Sequence, residues 1–357
     1  MNIEKNSEKN KLLVNIQIPF CTGHCKYCTM KSYGKDRALF HRYLSALKNE
    51  ISSASSDLEN YELASVHIRG DNLLSMMSVD ALDDFLRFLR QTLPSAKKTQ
   101  WILEMLPYEM SAASLTVLRN AHLDVLHLNV GTCQMKEFDK LERPYYYAAF
   151  DGALSMISMY QQDNISIGLL AGLPGQTEES LLRSIQYAMR AQPMQLSLQA
   201  CTPDVDVLPP SGRGISRPKD EDATRRGISC PKDEDATRRG ISCPKDEDAT
   251  RRGQDAPLLE TLRVSGAAEV EATFLEAADA CLADFGLYRY GDGWHYAIPG
   301  KERLEYSSGV DRIDCIGFGA GALTQMDGCS YHNTENLAFY LEHSTEPAYI
   351  ACDIKTV

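Results

Sequence analysis

Residues 12–30 read "LLVNIQIPFCTGHCKYCTM" and join an apolar run to three closely spaced cysteines. Cys21, Cys25 and Cys28 come directly after that run. Five more apolar runs follow, separated by stretches of helical period: "ASVHIR", "QWILEM", "DVLHLNV", "ISIGLLAG" and "MQLSLQAC". The pattern predicts six parallel strands that are covered on both faces.

The stretches between the strands predict amphipathic helices, with Ser78, Ser111 and Thr177 as N-caps of three of them. Six β-then-α units between residues 12 and 201 indicate an α/β fold with a parallel sheet and right-handed crossovers. Periodicity alone leaves two forms open, a doubly wound open sheet and a curved partial barrel.

Charge and apolar content exclude some classes of function. The formal net charge of −12 argues against a general nucleic-acid binder, so we expect no nucleic-acid partner. The first residues, "MNIEKNSEKNK", are polar, and no run approaches the roughly 20 apolar residues that span a bilayer. We therefore expect a cytoplasmic protein whose 11 cysteines are reduced and act as metal ligands, reactive thiols or small buried hydrophobes.

A 13-residue unit, "GISCPKDEDATRR" with one variant copy, occurs three times between residues 214 and 252. Its many charges and few apolar residues predict a disordered, solvated insertion. The predicted division is a polar tail at 1–11, a partial-barrel domain at 12–205, a low-complexity linker at 206–255 and a small α+β domain at 256–357. We expect the last of these to be associated with the substrate.

The spacing of the three cysteines suggests a metal centre at the carboxyl end of the first strand. Intervals of three and then two residues suit three corners of a [4Fe–4S] cluster, whose fourth iron is left open for a small molecule. Two alternatives stay open at this point. One is a zinc site completed by His24 or a distant histidine, and the other is a group of reactive or buried cysteines.

The sequence resembles the radical S-adenosylmethionine superfamily, in the branch of oxygen-independent coproporphyrinogen III oxidase and haem chaperone-like proteins. The cysteine motif "IQIPFCTGHCKYC" and the loop "AGLPGQTEES" are the specific parts of this resemblance. Three further stretches support it: "ILEMLP" with Glu104, "KLERPYYY" with Arg143, and the glycine-rich "CIGFGAGAL".

The resemblance implies a partial (β/α)6 barrel and an iron–sulfur oxidoreductase. Cys21, Cys25 and Cys28 would hold the [4Fe–4S] cluster, and Gly70, Glu104 and Arg143 would contact S-adenosylmethionine. Reductive cleavage of that cofactor gives a 5′-deoxyadenosyl radical that takes hydrogen from an organic substrate, with a tetrapyrrole as the family-level expectation. An electron donor such as flavodoxin or ferredoxin is implied as a partner.

The sequence also departs from the pattern of this branch. The glycine-rich stretch after the second strand keeps only Gly70, and two polar positions of the fourth and fifth strands fall on Gly131 and Gly168. Met30 stands where the oxidases have a further cysteine, and "EYSSGV" stands where the chaperones have a His-Asn motif. These departures support an alternative, a carrier of haem or of the cluster that no longer cleaves S-adenosylmethionine.

Overall fold

The structure, a computed structural model, describes residues 9–21, 25, 28, 32–70, 73–94, 98–143, 145–200, 267–291, 294–304, 313–326, 329–345 and 349–351. The repeats at 214–252 and the "EYSSGV" stretch lie outside these residues. The predicted domain boundaries at 205 and 255 stay predictions. The described residues up to Ala200 and those from 271 onward belong to one compact unit.

The six predicted strands are all present and parallel to one another, as the apolar runs indicated. The described strands are β1 (Lys11–Gln17), β2 (Glu62–Arg69), β3 (Gln100–Met105), β4 (Val125–Gly131), β5 (Ile165–Ala171), β6 (Gln195–Ala200), β7 (Tyr288–Tyr290), β8 (His295–Ala297), β9 (Asp314–Phe318), β10 (Leu323–Met326), β11 (Cys329–Asn333) and β12 (Tyr349–Ala351). They form one sheet in the order β12-β11-β10-β9-β1-β2-β3-β4-β5-β6-β8-β7. In the described part of the chain the sheet is open, with β12 and β7 at its edges.

Helices connect the strands. They are α1 (Arg37–Leu58), α2 (Leu73–Met76), α3 (Val79–Thr92), α4 (Ala112–Asn120), α5 (Met135–Leu141), α6 (Ala149–Tyr160), α7 (Glu178–Ala188), α8 (Ala267–Ala283) and α9 (Leu337–Glu342). The three predicted N-caps are confirmed, because the side chains of Ser78, Ser111 and Thr177 each accept a hydrogen bond from the third residue of their helix. No helix among these is long and apolar enough to cross a membrane.

Strand β1 lies inside the sheet, between β2 and β9. It is parallel to both, with Ile16 opposite Ile68 of β2 and Phe318 of β9. The C-terminal strands therefore extend the sheet at both ends, since β9 pairs with β1 while β8 pairs antiparallel with β6. The C-terminal part of the chain is consequently built into the same sheet as the first strand.

The two faces of the sheet differ in polarity. One face carries apolar side chains such as Val14, Val66 and Leu103, which pack with the helices in the main core. The other carries buried polar side chains on four adjacent strands: His67, Glu104, His127 and Ser166, of which the last three are in register. We call these four residues the polar face. Strands covered on both faces were predicted, but the polarity of one face was not.

A buried carboxylate fixes the glycine-rich turn after β9. Glu50 of α1 accepts hydrogen bonds from Gly319 N at 2.9 Å, from Asn333 Nδ2 at 2.7 Å and from the Tyr340 hydroxyl at 2.6 Å. Gly319 has a φ of +104°, and a Cβ there would lie 2.4 Å from the Tyr43 hydroxyl. The "GFGAGA" stretch is therefore a tightly packed turn.

Burial of Glu50 predicts a pH-dependent stability. Burial raises the pKa of Glu50 to about 7, against the lowering effect of its three hydrogen bonds. A carboxyl with a raised pKa binds its proton more tightly in the folded chain. Its contribution is therefore fully present below the unfolded pKa and is lost as the pH rises through about 7.

We expect the unfolding free energy of the wild type, relative to Glu50→Gln, to fall by on the order of 3 kcal/mol between about pH 4.5 and pH 8. Denaturant unfolding across that range measures the difference. The control is Glu59→Gln, an exposed glutamate at the end of α1, which should show no such trend. If the difference in unfolding free energy between the wild type and Glu50→Gln did not change with pH, the raised pKa of Glu50 would be contradicted.

Candidate functional site

The residues predicted for a metal and a cofactor lie after or near the carboxyl ends of neighbouring parallel strands. Cys21 follows β1, Gly70 follows β2 directly, and Glu104 is the last residue but one of β3. Arg143 follows the helix after β4 and reaches back to the backbone of that strand. The carboxyl edge of a parallel sheet is the usual place for ligands in α/β folds.

The three cysteines lie between Phe20 and Tyr33, and we call residues 21–32 the cysteine loop. The residues at its two ends contact each other. The Tyr33 N–H donates to the Pro19 carbonyl at 2.9 Å, and the rings of Phe20 and Tyr33 are 5.9 Å apart. Cys21, Cys25 and Cys28 are each partly exposed, and Cys28 N donates to Cys25 O at 3.0 Å.

Among the described residues, no group of three His, Cys, Asp or Glu side chains is arranged to hold a metal ion. The predicted alternative ligand His24 lies outside these residues. The donor set nevertheless fits an iron–sulfur cluster chemically, because thiolates are its usual ligands and three partly exposed thiols lie close together in the sequence.

Gly70 is a glycine because two backbones approach closely. Its φ is +138°, and a Cβ there would lie 2.3 Å from the Ile18 carbonyl oxygen. Ile18 N donates to the Arg69 carbonyl at 2.7 Å, which extends the β1–β2 pairing past the end of β1. Any side chain at position 70 would therefore push these two strand ends apart.

Glu104 is buried and held in its ionised form. Its Oε1 lies 3.0 Å from His67 Nε2 and 3.5 Å from Arg69 Nε. Burial acts to raise the pKa of Glu104, but the contact with His67 and the charge of Arg69 outweigh burial and lower the pKa below its ordinary value. Arg69 replaces a glycine of the resembled family and contacts a residue predicted to bind the cofactor.

His67 and Arg303 were not predicted as site residues. His67 is 1% exposed, as is Arg303, whose Nη2 lies 3.3 Å from His67 Nδ1. A signal for His67 exists in "ASVHIR", where Ser65, His67 and Arg69 alternate with apolar residues and so share one face of β2. Arg303 carries no local signal, since its contact with His67 spans 236 residues.

Arg143 lies against the end of β4. Its Nη1 donates to the Asn129 carbonyl at 2.9 Å and to the Tyr145 hydroxyl at 3.0 Å. Gly131 has a φ of +81°, and a Cβ there would lie 2.7 Å from Arg143 Nη2. The guanidinium thus occupies the space where a side chain at position 131 would begin.

Gly168 is the second polar position of the resembled family that is a glycine here. A Cβ at this position would lie 2.9 Å from His127 Nε2 and 3.0 Å from Asn129 Oδ1. His127 is held by the Ser166 hydroxyl, which is 2.9 Å from His127 Nδ1. Polar groups of the neighbouring strand β4 therefore fill the space beside Gly168.

The "LPGQT" loop after β5 is braced by side chains. Gln176 accepts a hydrogen bond from Gly172 N at 2.7 Å and donates to the Leu170 carbonyl at 3.1 Å. The buried Glu137 of α5 accepts from Gln176 at 3.3 Å and from Thr132 at 2.6 Å. The loop conformation is thus tied to the chain that follows β4.

No family model matches the chain. Curated relatives include the heme chaperone HemW of Bacillus subtilis (strain 168), 28% identical over 49% of this chain and 46% of its own length. The oxygen-independent coproporphyrinogen III oxidase of Pseudomonas aeruginosa is 26% identical over 52% of this chain and 41% of its own length. The chain is a relative of these two kinds of protein. It spans about half the length of the curated relatives it matches.

The solved coproporphyrinogen III oxidase (HemN) from Escherichia coli, a radical SAM enzyme, has the same fold. It superposes with a TM-score of 0.66 over 97% of this chain and 72% of its own, at 16% sequence identity. The predicted α/β architecture with its large parallel sheet is therefore confirmed. An unclosed sheet is compatible with the partial barrel, and the resemblance to the HemN and HemW branch is confirmed as well.

The close backbone approach at position 70 predicts a large penalty for any side chain. We expect Gly70→Ala to lower the free energy of unfolding by a few kcal/mol, because the backbone of β1 or β2 must move. The matched control is Gly152→Ala in α6, where a Cβ meets nothing within 4 Å. That variant should gain about 0.5–1 kcal/mol from helix propensity. Equal effects in chemical denaturation would contradict the stated role of Gly70.

The charges around Glu104 predict a loss of stability that depends on pH. Glu104→Gln should cost about 1–3 kcal/mol at pH 7, the usual range when a buried charged hydrogen-bond partner is removed. A carboxyl with a lowered pKa stabilises the folded chain above its unfolded pKa, so the difference should shrink as the pH falls below about 4. Asp83→Asn, which removes an exposed partner of Arg87, should stay within about 0.5 kcal/mol. A difference that persists unchanged in acid would show that Glu104 is not held ionised.

Proposed function

We propose that the chain binds a [4Fe–4S] cluster through Cys21, Cys25 and Cys28 and uses it with S-adenosylmethionine as a radical oxidoreductase. The observation that carries the proposal is the position of the three cysteines. They share one partly exposed loop at the carboxyl end of β1, in a fold shared with a radical SAM enzyme. When bound, the cluster supplies the electron that cleaves S-adenosylmethionine and yields a 5′-deoxyadenosyl radical.

In this proposal, residues of the sheet edge bind and orient the cofactor. The Glu104 carboxylate would bind a cationic group of the cofactor, and the Arg143 guanidinium, at the end of β4, would bind an anionic group. Gly70 lets the backbone approach the ligand without a side chain between them. The contacts of Glu104 with Arg69 and His67 lower its pKa, so its negative charge is already in place before the ligand arrives.

We propose a tetrapyrrole as the substrate class, on the strength of the relatives named coproporphyrinogen III oxidase. The C-terminal part of the chain, whose strands flank β1 and β6, would contribute to holding it. The electron donor, such as flavodoxin or ferredoxin, the absence of a nucleic-acid partner and the cytoplasmic location stay predictions.

A second candidate is a carrier of haem or of the cluster that does not cleave S-adenosylmethionine. The side-chain contacts at the carboxyl edge of the sheet support this second candidate. Glu104 already contacts Arg69, and the spaces beside Gly131 and Gly168 are occupied by Arg143, His127 and Asn129. Several relatives carry the name heme chaperone.

Anaerobic reconstitution with iron and sulfide separates these candidates. We expect about four irons per chain, and 5′-deoxyadenosine after reduction with added S-adenosylmethionine. Cys28→Ala should lose both, because a cluster ligand is gone. The matched control is Cys281→Ala, a partly exposed cysteine of α8, which should keep both.

Four irons without 5′-deoxyadenosine would reject the enzyme and favour the carrier. Binding of zinc in place of iron–sulfur would reject both. Full activity in Cys28→Ala would overturn the assignment of the cysteine loop.

A further inference from the structure

The near end of the cysteine loop is tied to the rest of the molecule by Tyr43. This side chain of α1 is fully buried, and its hydroxyl donates to the Gln17 carbonyl at 2.7 Å, at the last residue of β1. The same hydroxyl accepts from Ala320 N at 3.1 Å. One hydroxyl therefore joins the strand before the cysteines to the glycine turn after β9.

The far end of the loop is tied to the same C-terminal region. Tyr33, which closes the base of the loop, donates its hydroxyl to the Glu335 carbonyl at 2.6 Å. Between the two ends, the buried ring of Phe20 contacts Tyr33, Phe40 and Tyr43 at centroid distances of 5.9, 5.3 and 5.1 Å. Cys21 follows Phe20 directly.

The C-terminal segments that Tyr43 and Tyr33 contact are themselves held together by the buried Glu50. That carboxylate binds Gly319, Asn333 and Tyr340, which lie on the glycine turn, on β11 and on α9. Asn333 also donates to the Gly319 carbonyl at 3.0 Å. A buried carboxylate is costly, and one established reason to keep such a group is that it fixes a single arrangement of the chain.

We propose that Tyr33 and Tyr43 are positioning residues for the cysteine loop, through which the C-terminal strands hold the three thiols in place for their metal centre. Tyr43 acts before the first cysteine, through its hydroxyl bond to Gln17. Tyr33 acts after the last cysteine, where its backbone N–H bonds to Pro19 and its hydroxyl bonds to Glu335. The proposal rests on the proposed function for the identity of the metal centre, but not for the order of the loop. Loop order can be measured in the metal-free chain.

The experiment measures alkylation of each cysteine by iodoacetamide in the metal-free, reduced full chain, resolved by mass spectrometry. We expect Tyr43→Phe and Tyr33→Phe each to speed alkylation of Cys21, Cys25 and Cys28 by about three- to tenfold, the factor that one net hydrogen bond gives in an opening equilibrium.

Tyr147→Phe is the matched control, because the Tyr147 hydroxyl also donates to a backbone carbonyl, that of Cys133, at 2.6 Å. It should leave the loop cysteines unchanged. The buried Cys133 serves as an internal reference for opening of the whole domain. Its rate should not change in Tyr43→Phe or Tyr33→Phe.

The same variants, reconstituted and reduced, should bind less iron and give a broadened paramagnetic resonance signal. If Cys21, Cys25 and Cys28 were alkylated at the same rates in the two tyrosine variants as in Tyr147→Phe, the proposal would be overturned. An equal rise in the alkylation rate of Cys133 would also overturn it, since the tyrosines would then act on global stability. If the wild type assembles no cluster, the proposed function fails, while the alkylation rates still decide whether the tyrosines order the loop.

Discussion

Strand β1 has hydrogen-bonded neighbours on both sides, and the candidate site depends on that constraint. Its carboxyl end is enclosed by two glycines, Gly70 after β2 and Gly319 after β9. A Cβ at either would strike the backbone of β1, at 2.3 Å from the Ile18 carbonyl and 2.5 Å from the Gln17 carbonyl. The cysteine loop therefore starts from a strand end that cannot shift without breaking two ladders. Because the first residues of this loop are already fixed, less conformational entropy is lost when the loop orders around a ligand.

The polar face beneath this edge adds a second constraint. Burying His67, Glu104 and Arg303 costs free energy that apolar side chains of similar size would not cost. The cost is offset only while these polar groups keep their contacts with one another, so the group either stays together or destabilises the sheet. Such a network fixes the direction of Glu104 at the site, which a fully apolar interior could not do.

Local sequence predicted the elements well, because each strand and each cap depends on residues a few positions apart. Ser78 accepts from Ala81 within its own first turn, and the apolar runs mark all six parallel strands. The contacts that shape the site are of another kind. Glu50 meets Asn333 across 283 residues, and Arg303 meets His67 across 236. Periodicity carries no information on which distant strand becomes the neighbour of β1, so these partners could not be predicted from the pattern.

The positions that depart from the resembled family share a feature that sequence comparison alone would not show. Gly131 and Gly168 are not vacant spaces, because Arg143 fills one while His127 and Asn129 fill the other. The sheet edge at these two positions is therefore polar, with the polar groups supplied by β4 and by Arg143. The change with the greatest consequence is Arg69, which contacts the same Oε1 of Glu104 as His67 does. In the proposed function, a cationic group of the cofactor has to share that carboxylate with Arg69. The distinction between an enzyme and a carrier therefore depends on this competition at Glu104, and both alternatives require the same cysteine loop.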